Sequence, residues 1–214
     1  AIFAIVQGGL DQELRRQCAV EMATRRDHLG GFAVGGLSGG EGKDIFWQSV
    51  KTSVSHLPKD MPRYCMGVGY ADDIAVCIAL GVDMFDCVFP TRTARFGTAL
   101  TFTGPSNVSK WRDDSNVPIE DDCKCWTCTH MSRAALFHIK DTPVCGQLLS
   151  LHNVEFQNRL TGYFREGIKK GEFDKYEQRF FRNKLDTYPD RKYPQWIVDA
   201  LASEGIQLNY EDEN

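Results

Sequence analysis

A short apolar run, a turn and an amphipathic stretch recur through the first hundred or so residues, and this alternation limits the possible folds most. Ile2–Val6 reads as a strand ending at Gln7-Gly8-Gly9, and the helix after it carries Leu10, Leu14, Cys18 and Met22 four residues apart on one face. Gly31–Val34 is a second strand. It ends in Gly35-Gly36-Leu37-Ser38-Gly39-Gly40-Glu41 and leads to a helix with Phe46, Val50, Val54 and Leu57, stopped by Pro58. Tyr64–Met66 leads into Gly67-Val68-Gly69 and a helix over Asp72–Leu80, and Val82–Val88 is a fourth strand, closed by Phe89-Pro90. Strands alternating with helices require parallel strands joined by crossover helices. A unit of roughly 20 to 30 residues suits either a (β/α)₈ barrel or a doubly wound sheet, and the periodicity does not separate the two. In both folds the loops at the strand C-ends hold the chemistry.

After Arg95 the pattern breaks. Residues 104–122 are polar, with Pro105, Asn107, Asp113, Asp114, Asn116 and Pro118, and read as an excursion from the repeat. A cysteine cluster follows, then helical stretches around 132–140 and 147–170, a charged and aromatic stretch over 169–193, a short helix over Trp196–Ala202 and a loose acidic tail, Tyr210–Asn214. The expected organisation is a βα segment over 1–103, a metal-binding segment over 104–170 and a helical C-terminal segment with the tail over 171–214.

The 214 residues are 42% hydrophobic and 25% charged, as in an ordinary soluble protein. No apolar run approaches the ~20 residues needed to span a membrane. The apolar start lacks a basic lead-in and is too short for a signal-peptide core; it reads as a buried strand that opens abruptly, without an initiator Met or polar lead-in, so further residues are expected upstream. A net charge of −4 argues against a strongly basic, non-specific nucleic-acid binder and leaves room for a local basic site. Of eight cysteines, five (Cys18, Cys65, Cys77, Cys87, Cys145) are scattered among apolar neighbours, which fits a reducing compartment, the cytosol by default.

The other three, Cys123, Cys125 and Cys128, put three thiolates in one tight turn, and tetrahedral Zn²⁺ asks for a fourth ligand. His130, His138, His152 and Cys145 are candidates. His130 is close enough to strain the chain, and His152 lies on a helical pattern after a loop, at a separation common for a return ligand. With four protein ligands the metal would be structural. The alternative is a reduced cluster without metal.

Alternation along the fourth strand puts Asp83, Phe85 and Cys87 on one face and Met84, Asp86 and Val88 on the other. A carboxylate inside an apolar strand is costly unless paired or working, and the C-end of a parallel strand favours work. Arg92 and Arg95, expected in the loop beyond, suit phosphate; a structural Asp–Arg pair is the alternative. The glycine loops let backbone amides approach a planar ligand or a phosphate, but fit neither G-x-G-x-x-G nor the Walker pattern and could be ordinary tight turns.

Taken together, Val6-Gln7-Gly8-Gly9, the Gly35–Glu41 loop, Tyr64-Cys65-Met66-Gly67-Val68-Gly69 and Met84-Phe85-Asp86-Cys87-Val88-Phe89-Pro90-Thr91-Arg92 resemble the signature blocks of the tRNA-guanine transglycosylases, the queuine tRNA-ribosyltransferase family. The C-x-C-x₂-C…H order resembles that family's zinc site, with Cys123, Cys125, Cys128 and His152 as ligands. The resemblance covers nearly the whole chain, most weakly over 169–214. It implies the C-terminal half of a (β/α)₈ TIM-type barrel with a zinc-binding insertion. It also implies that Asp86 attacks the ribose C1′ of the target nucleotide, that guanine leaves, and that a deazaguanine base displaces the protein. Gln7, Gly36, Leu37, Gly39, Met66 and Gly67 then contact the base, and Thr91, Arg92 and Arg95 hold tRNA.

Bacterial members resemble Gly-Gly-Leu-Ala-Val-Gly-Glu, with Val where this chain has Gly39. The missing side chain leaves room for the bulkier queuine and implies the eukaryotic type. The intact Asp86 block implies the catalytic subunit, with tRNA, queuine and a related non-catalytic subunit as partners, the zinc region at that interface, and a cytosolic location extending to the mitochondrial periphery. The family's second essential aspartate lies in the N-terminal half of the barrel and has no counterpart here, so this chain alone is expected to be inactive. Two other readings compete: a phosphate-binding barrel acting on small metabolites, with Arg92 and Arg95 as anion site, and a non-enzymatic zinc-centred module for RNA binding or dimerisation.

Overall fold

The computed structural model describes residues 1–112 and 116–210; Asp113 and Asp114 of the polar stretch, and the acidic tail beyond Tyr210, lie outside them. The chain packs as two units, residues 1–87 with 193 onward, and residues 88–192.

In the first unit, β1 (Phe3–Val6), β2 (Gly31–Val34), β3 (Arg63–Cys65) and β4 (Met84–Phe85) form a parallel sheet in the order β1-β2-β3-β4, with no reversal among the four. The order follows the chain because crossover helices α1 (Gln12–Ala23), α2 (Lys43–Ser55) and α3 (Ala71–Ala79) separate successive strands. β2 is buried at every position, which accounts for its unbroken apolar run. Gly31 has to be glycine, since a Cβ there would meet the Phe3 ring at 2.4 Å and the Pro62 carbonyl oxygen at 2.7 Å. The helix of residues 195–202, α9, matches the short helix expected there but belongs to this unit, and buries Ile197, Ala200 and Leu201.

Two expectations fail here. The Leu10/Leu14/Cys18/Met22 face of α1 is not the buried one: Leu10 and Leu14 are exposed, Cys18 and Met22 are half-buried, and Arg15 and Ala19 are fully buried. The rotation is set by polar satisfaction. The Arg15 guanidinium donates to the carbonyls of Gly9 (2.7 Å) and Gly35 (3.0 Å) and to Ser53 Oγ (3.3 Å), which is what makes its burial tolerable. The fourth strand is also far shorter than Val82–Val88. Val88 is the N-cap of a helix, α4 (Phe89–Arg95), with Pro90 in its first turn, where a missing N–H costs nothing. Thr91, Arg92 and Arg95 therefore lie on a helix and not in a loop.

In the second unit, α4 packs on α7 (Pro143–Lys170), a helix of 28 residues that starts before the expected position 147 because Pro143 opens it. Buried Asn153 fastens the unit, accepting from Leu100 N (2.8 Å) and donating to the carbonyls of Pro90 and Thr98, both at 2.9 Å. The polar excursion contains β6 (Ser106–Asn107), antiparallel to β5 (Thr98–Ala99). Between them and α7 lie α5 (Trp126–His130) and α6 (Arg133–His138). α7 ends at Gly171 in the left-handed conformation (φ 68°), and α8 (Phe173–Asn183) folds back so that Phe180 meets Phe164. Among the described residues no helix is long and apolar enough to cross a membrane.

Candidate active site and metal centre

The register of the sheet places Tyr64 opposite Met84, so Asp86, two residues further on, shares a face with the tyrosine. The Tyr64 hydroxyl donates to Asp86 Oδ1, and the Gly67 amide donates to the same oxygen at 2.9 Å. Asp86 is exposed, as are Met84 and Val88. It is thus not a carboxylate buried in an apolar strand, as expected. β4 ends just before it, and the compensation comes from a hydroxyl and an amide. The Tyr64 hydroxyl, seconded by the Gly67 amide, holds the Asp86 carboxyl below its ordinary value. The same bond, with burial and the neighbouring charge, pushes Tyr64 up to about 12, so it stays a neutral donor. Asp83 is engaged elsewhere: Oδ2 accepts from the Arg63 amide at 2.8 Å, a structural tie between β3 and β4.

The third glycine loop reaches this carboxylate through Gly67, and the other two are linked to it in turn. A Cβ at Gly36 (φ 69°) would stand 2.7 Å from Gln7 Oε1, so the Gln7 side chain lies directly on the Gly36 backbone. Gly67 (φ 76°) faces Ser38 at 3.4 Å, measured from a built Cβ. Met66 is more than a third exposed, Leu37 is half-buried, and Gly39 is exposed, with only Glu41 Oε2, at 3.8 Å, near a built Cβ. The structure therefore brings Gln7, Gly36, Leu37, Gly39, Met66 and Gly67 to the C-ends of β1, β2 and β3, where Asp86 follows β4. Thr91, Arg92 and Arg95 are exposed on α4, in the second unit.

Sequence reading missed three positioning residues. Tyr64 stands in a strand and in a signature block of the sequence but without a role of its own; the cross-strand register is the signal that gives it one. Arg15 ties the first two glycine loops together through Gly9 and Gly35. Glu41 closes its own loop, accepting from the amides of Ser38 (2.6 Å) and Gly39 (2.9 Å), and so holds Ser38 at φ 63°.

In the second unit Cys123, Cys125, Cys128 and His152 bring their ligand atoms within 4.8 Å of one another. His152 Nδ1 stands 3.7, 3.8 and 3.3 Å from the sulfurs of Cys123, Cys125 and Cys128. Bonds of about 2.3 Å to sulfur and 2.0–2.1 Å to nitrogen put tetrahedral ligands roughly 3.5–3.8 Å apart, so the set fits one such ion. His152 Nε2 lies 2.8 Å from the Leu100 carbonyl, which can only accept; Nε2 therefore carries the proton and Nδ1 turns its lone pair to the sulfurs. Burial lowers the His152 pKa and keeps the ring neutral. Burial pushes the Cys125 and Cys128 thiols up, Cys128 to about 12, so these two become thiolates only beside a cation. Of the candidate fourth ligands, His152 joins the cluster. His130 instead stacks on Trp126, at 4.5 Å between ring centres, and the buried Cys145 thiol lies against the Leu136 carbonyl.

A parallel α/β unit with a hydrogen-bonded carboxylate beyond a strand C-end, and a Cys₃His cluster in the next unit that could hold a metal ion, together define the class by its geometry. The model of the queuine tRNA-ribosyltransferase family matches residues 1–186, and the chain belongs to that family. It is 46% identical to the queuine tRNA-ribosyltransferase catalytic subunit of Schizosaccharomyces pombe, over 97% of this chain and 53% of that protein. It is 42% identical to the catalytic subunit of Caenorhabditis briggsae (98% and 56%) and 42% identical to the queuine tRNA-ribosyltransferase of Thermus thermophilus (96% and 52%). The chain spans about half the length of these relatives.

Proposed function

We propose that the full-length protein is a tRNA-guanine transglycosylase that exchanges guanine at the anticodon wobble position for queuine through a covalent aspartyl-ribose intermediate. One observation carries this reading: Asp86, held ionised by Tyr64 and Gly67, stands beyond a strand C-end beside three glycine loops. Both hydrogen bonds go to Oδ1, which leaves Oδ2 to attack the ribose C1′. Such a carboxylate stabilises and then captures an oxocarbenium-like carbon, as in retaining glycosidases. Gln7, Gly36, Leu37, Gly39, Met66 and Gly67 hold the base. Thr91, Arg92 and Arg95 hold the tRNA backbone, and the target nucleotide leaves its stack to enter. Displacement by a base rather than by water requires that water be excluded from the pocket.

In this reading β1–β4 are half of a (β/α)₈ barrel, with 1–103 as barrel segment, 104–170 as zinc-binding segment and 171–214 as C-terminal segment. The ion is zinc, which suits three thiolates and one imidazole and supplies structural cohesion. The whole protein is the catalytic subunit of a heterodimer with a related non-catalytic subunit, works in the cytosol and at the mitochondrial periphery, and needs its N-terminal half for activity. The test is release of labelled guanine from tRNA by the full-length protein on addition of queuine. Turnover supports the reading; guanine retained by tRNA under all conditions overturns it.

A further inference from the structure

Lys43 opens α2 directly after the Gly35–Gly42 stretch, and Tyr70 is the N-cap of α3 directly after Met66–Gly69. The Lys43 ammonium donates to both carboxylate oxygens of Asp73, each at 2.6 Å. It also lies 5.4 Å from each of the ring centres of Phe46, Tyr70 and Trp196. The Asp73 side chain is only 8% exposed, so this cation offsets a carboxylate removed from water. Trp196 comes from α9, beyond the residues matched by the family model. The far end of α9 is fixed to the same helix α2, where Lys51 donates to the Ser203 carbonyl at 2.8 Å and pairs with Glu204 at 3.0 Å.

Glycine-rich loops lose more backbone freedom on ordering than other loops do, so their geometry depends on how their ends are held. Here one ammonium, 43% exposed on its side chain, stands at the exit of the second loop, over the ring of Tyr70 at the end of the third, and over a ring from the C-terminal helix. We infer that Lys43 and Trp196 form a brace that sets the positions of the two glycine loops beside Asp86. Both are positioning residues, acting through Gly36–Gly39 and Met66–Gly67. The consequence for base binding rests on the function proposed above; the structural role does not.

The test uses the full-length protein and the variants Lys43→Met, Lys43→Arg, Trp196→Ala and Trp196→Phe. Hydrogen exchange is followed over 36–42 and 66–70, and steady-state kinetics for base and tRNA. Loss of the cation or of the ring is expected to speed exchange in both loops about ten-fold and leave 88–192 unchanged. KM for the base rises by a similar factor, while KM for tRNA stays within about two-fold. Lys43→Arg and Trp196→Phe retain the wild-type behaviour. Should Lys43→Met fail to fold, Trp196→Ala decides. Unchanged loop protection, or faster exchange spread over the whole first unit, overturns the brace. Absence of guanine exchange in the wild type would count against the proposed function alone, since loop protection is read without turnover.

Discussion

Tyr64 and Asp86 meet because β3 and β4 run parallel in a register that stacks Tyr64 on Met84, and the exposed carboxylate then gains two donors on one oxygen. The Asp86 pKa is depressed, so the pair's contribution to stability is present above the unfolded aspartate value and fades as pH falls through the folded one. Under the proposed function the same sign governs activity, since the Asp86 carboxylate is lost only below the ordinary aspartate range. In Tyr64→Phe the acid limb of the pH–rate profile moves up toward that range, and exchange at neutral pH falls on the order of ten-fold through lost orientation. A limb that stays in place would show that Tyr64 does not tune the carboxylate. Gly39 is the second residue-scale test. It has no positive φ, and a built Cβ meets only Glu41 Oε2, at 3.8 Å, so Gly39→Val is tolerated by the fold. Queuine use should fall about ten-fold or more relative to guanine exchange, read as the ratio of the two kcat/KM values. Equal losses would contradict the pocket reading.

Elements set by local periodicity were legible in the sequence: β1, β2, α2 and α9 fall close to where apolar spacing and Gly or Pro punctuation put them. Elements set by distant partners were not. The rotation of α1 depends on carbonyls of Gly9 and Gly35 that receive Arg15, which no helical period encodes. The Val82–Val88 run reads as a strand by composition, but Pro90 starts a helix and leaves only Met84–Phe85 paired. The Cys₃His cluster was legible because three thiols in so short a span have few other uses. The return ligand comes from a fully buried position of α7, and Cys125 caps the start of α5. Chelation, or His152→Ala, should empty the site, read as metal content falling from about one equivalent to near zero. It should also lower the unfolding temperature of 88–192 by roughly 5 °C or more. Protein that carries no metal when purified under reducing conditions would remove zinc from the account.

At the scale of the molecule, the sheet order and the loops at its C-ends put the sequence-predicted base-binding residues on one side of the first unit. Periodicity alone left barrel and doubly wound sheet open, because both repeat the same βα unit. The unreversed order of four strands and the family match over 1–186 support the barrel reading. Ile5 of β1 and Ile2 just before it are exposed. The packing units divide at residues 87 and 192, not at the edges of the sequence segments, because Tyr193 and the residues after it return to the first unit. Such a return is invisible to composition, since Trp196 finds Lys43 only in three dimensions.

The most direct test of the account is whether full-length protein, mixed with tRNA and no incoming base, forms a denaturation-resistant RNA adduct whose site maps to Asp86 by mass spectrometry. The account predicts that adduct in the wild type and none in Asp86→Asn, which keeps its fold and most of its tRNA affinity. An adduct formed by Asp86→Asn at an undiminished rate, or mapped to another residue, would contradict it.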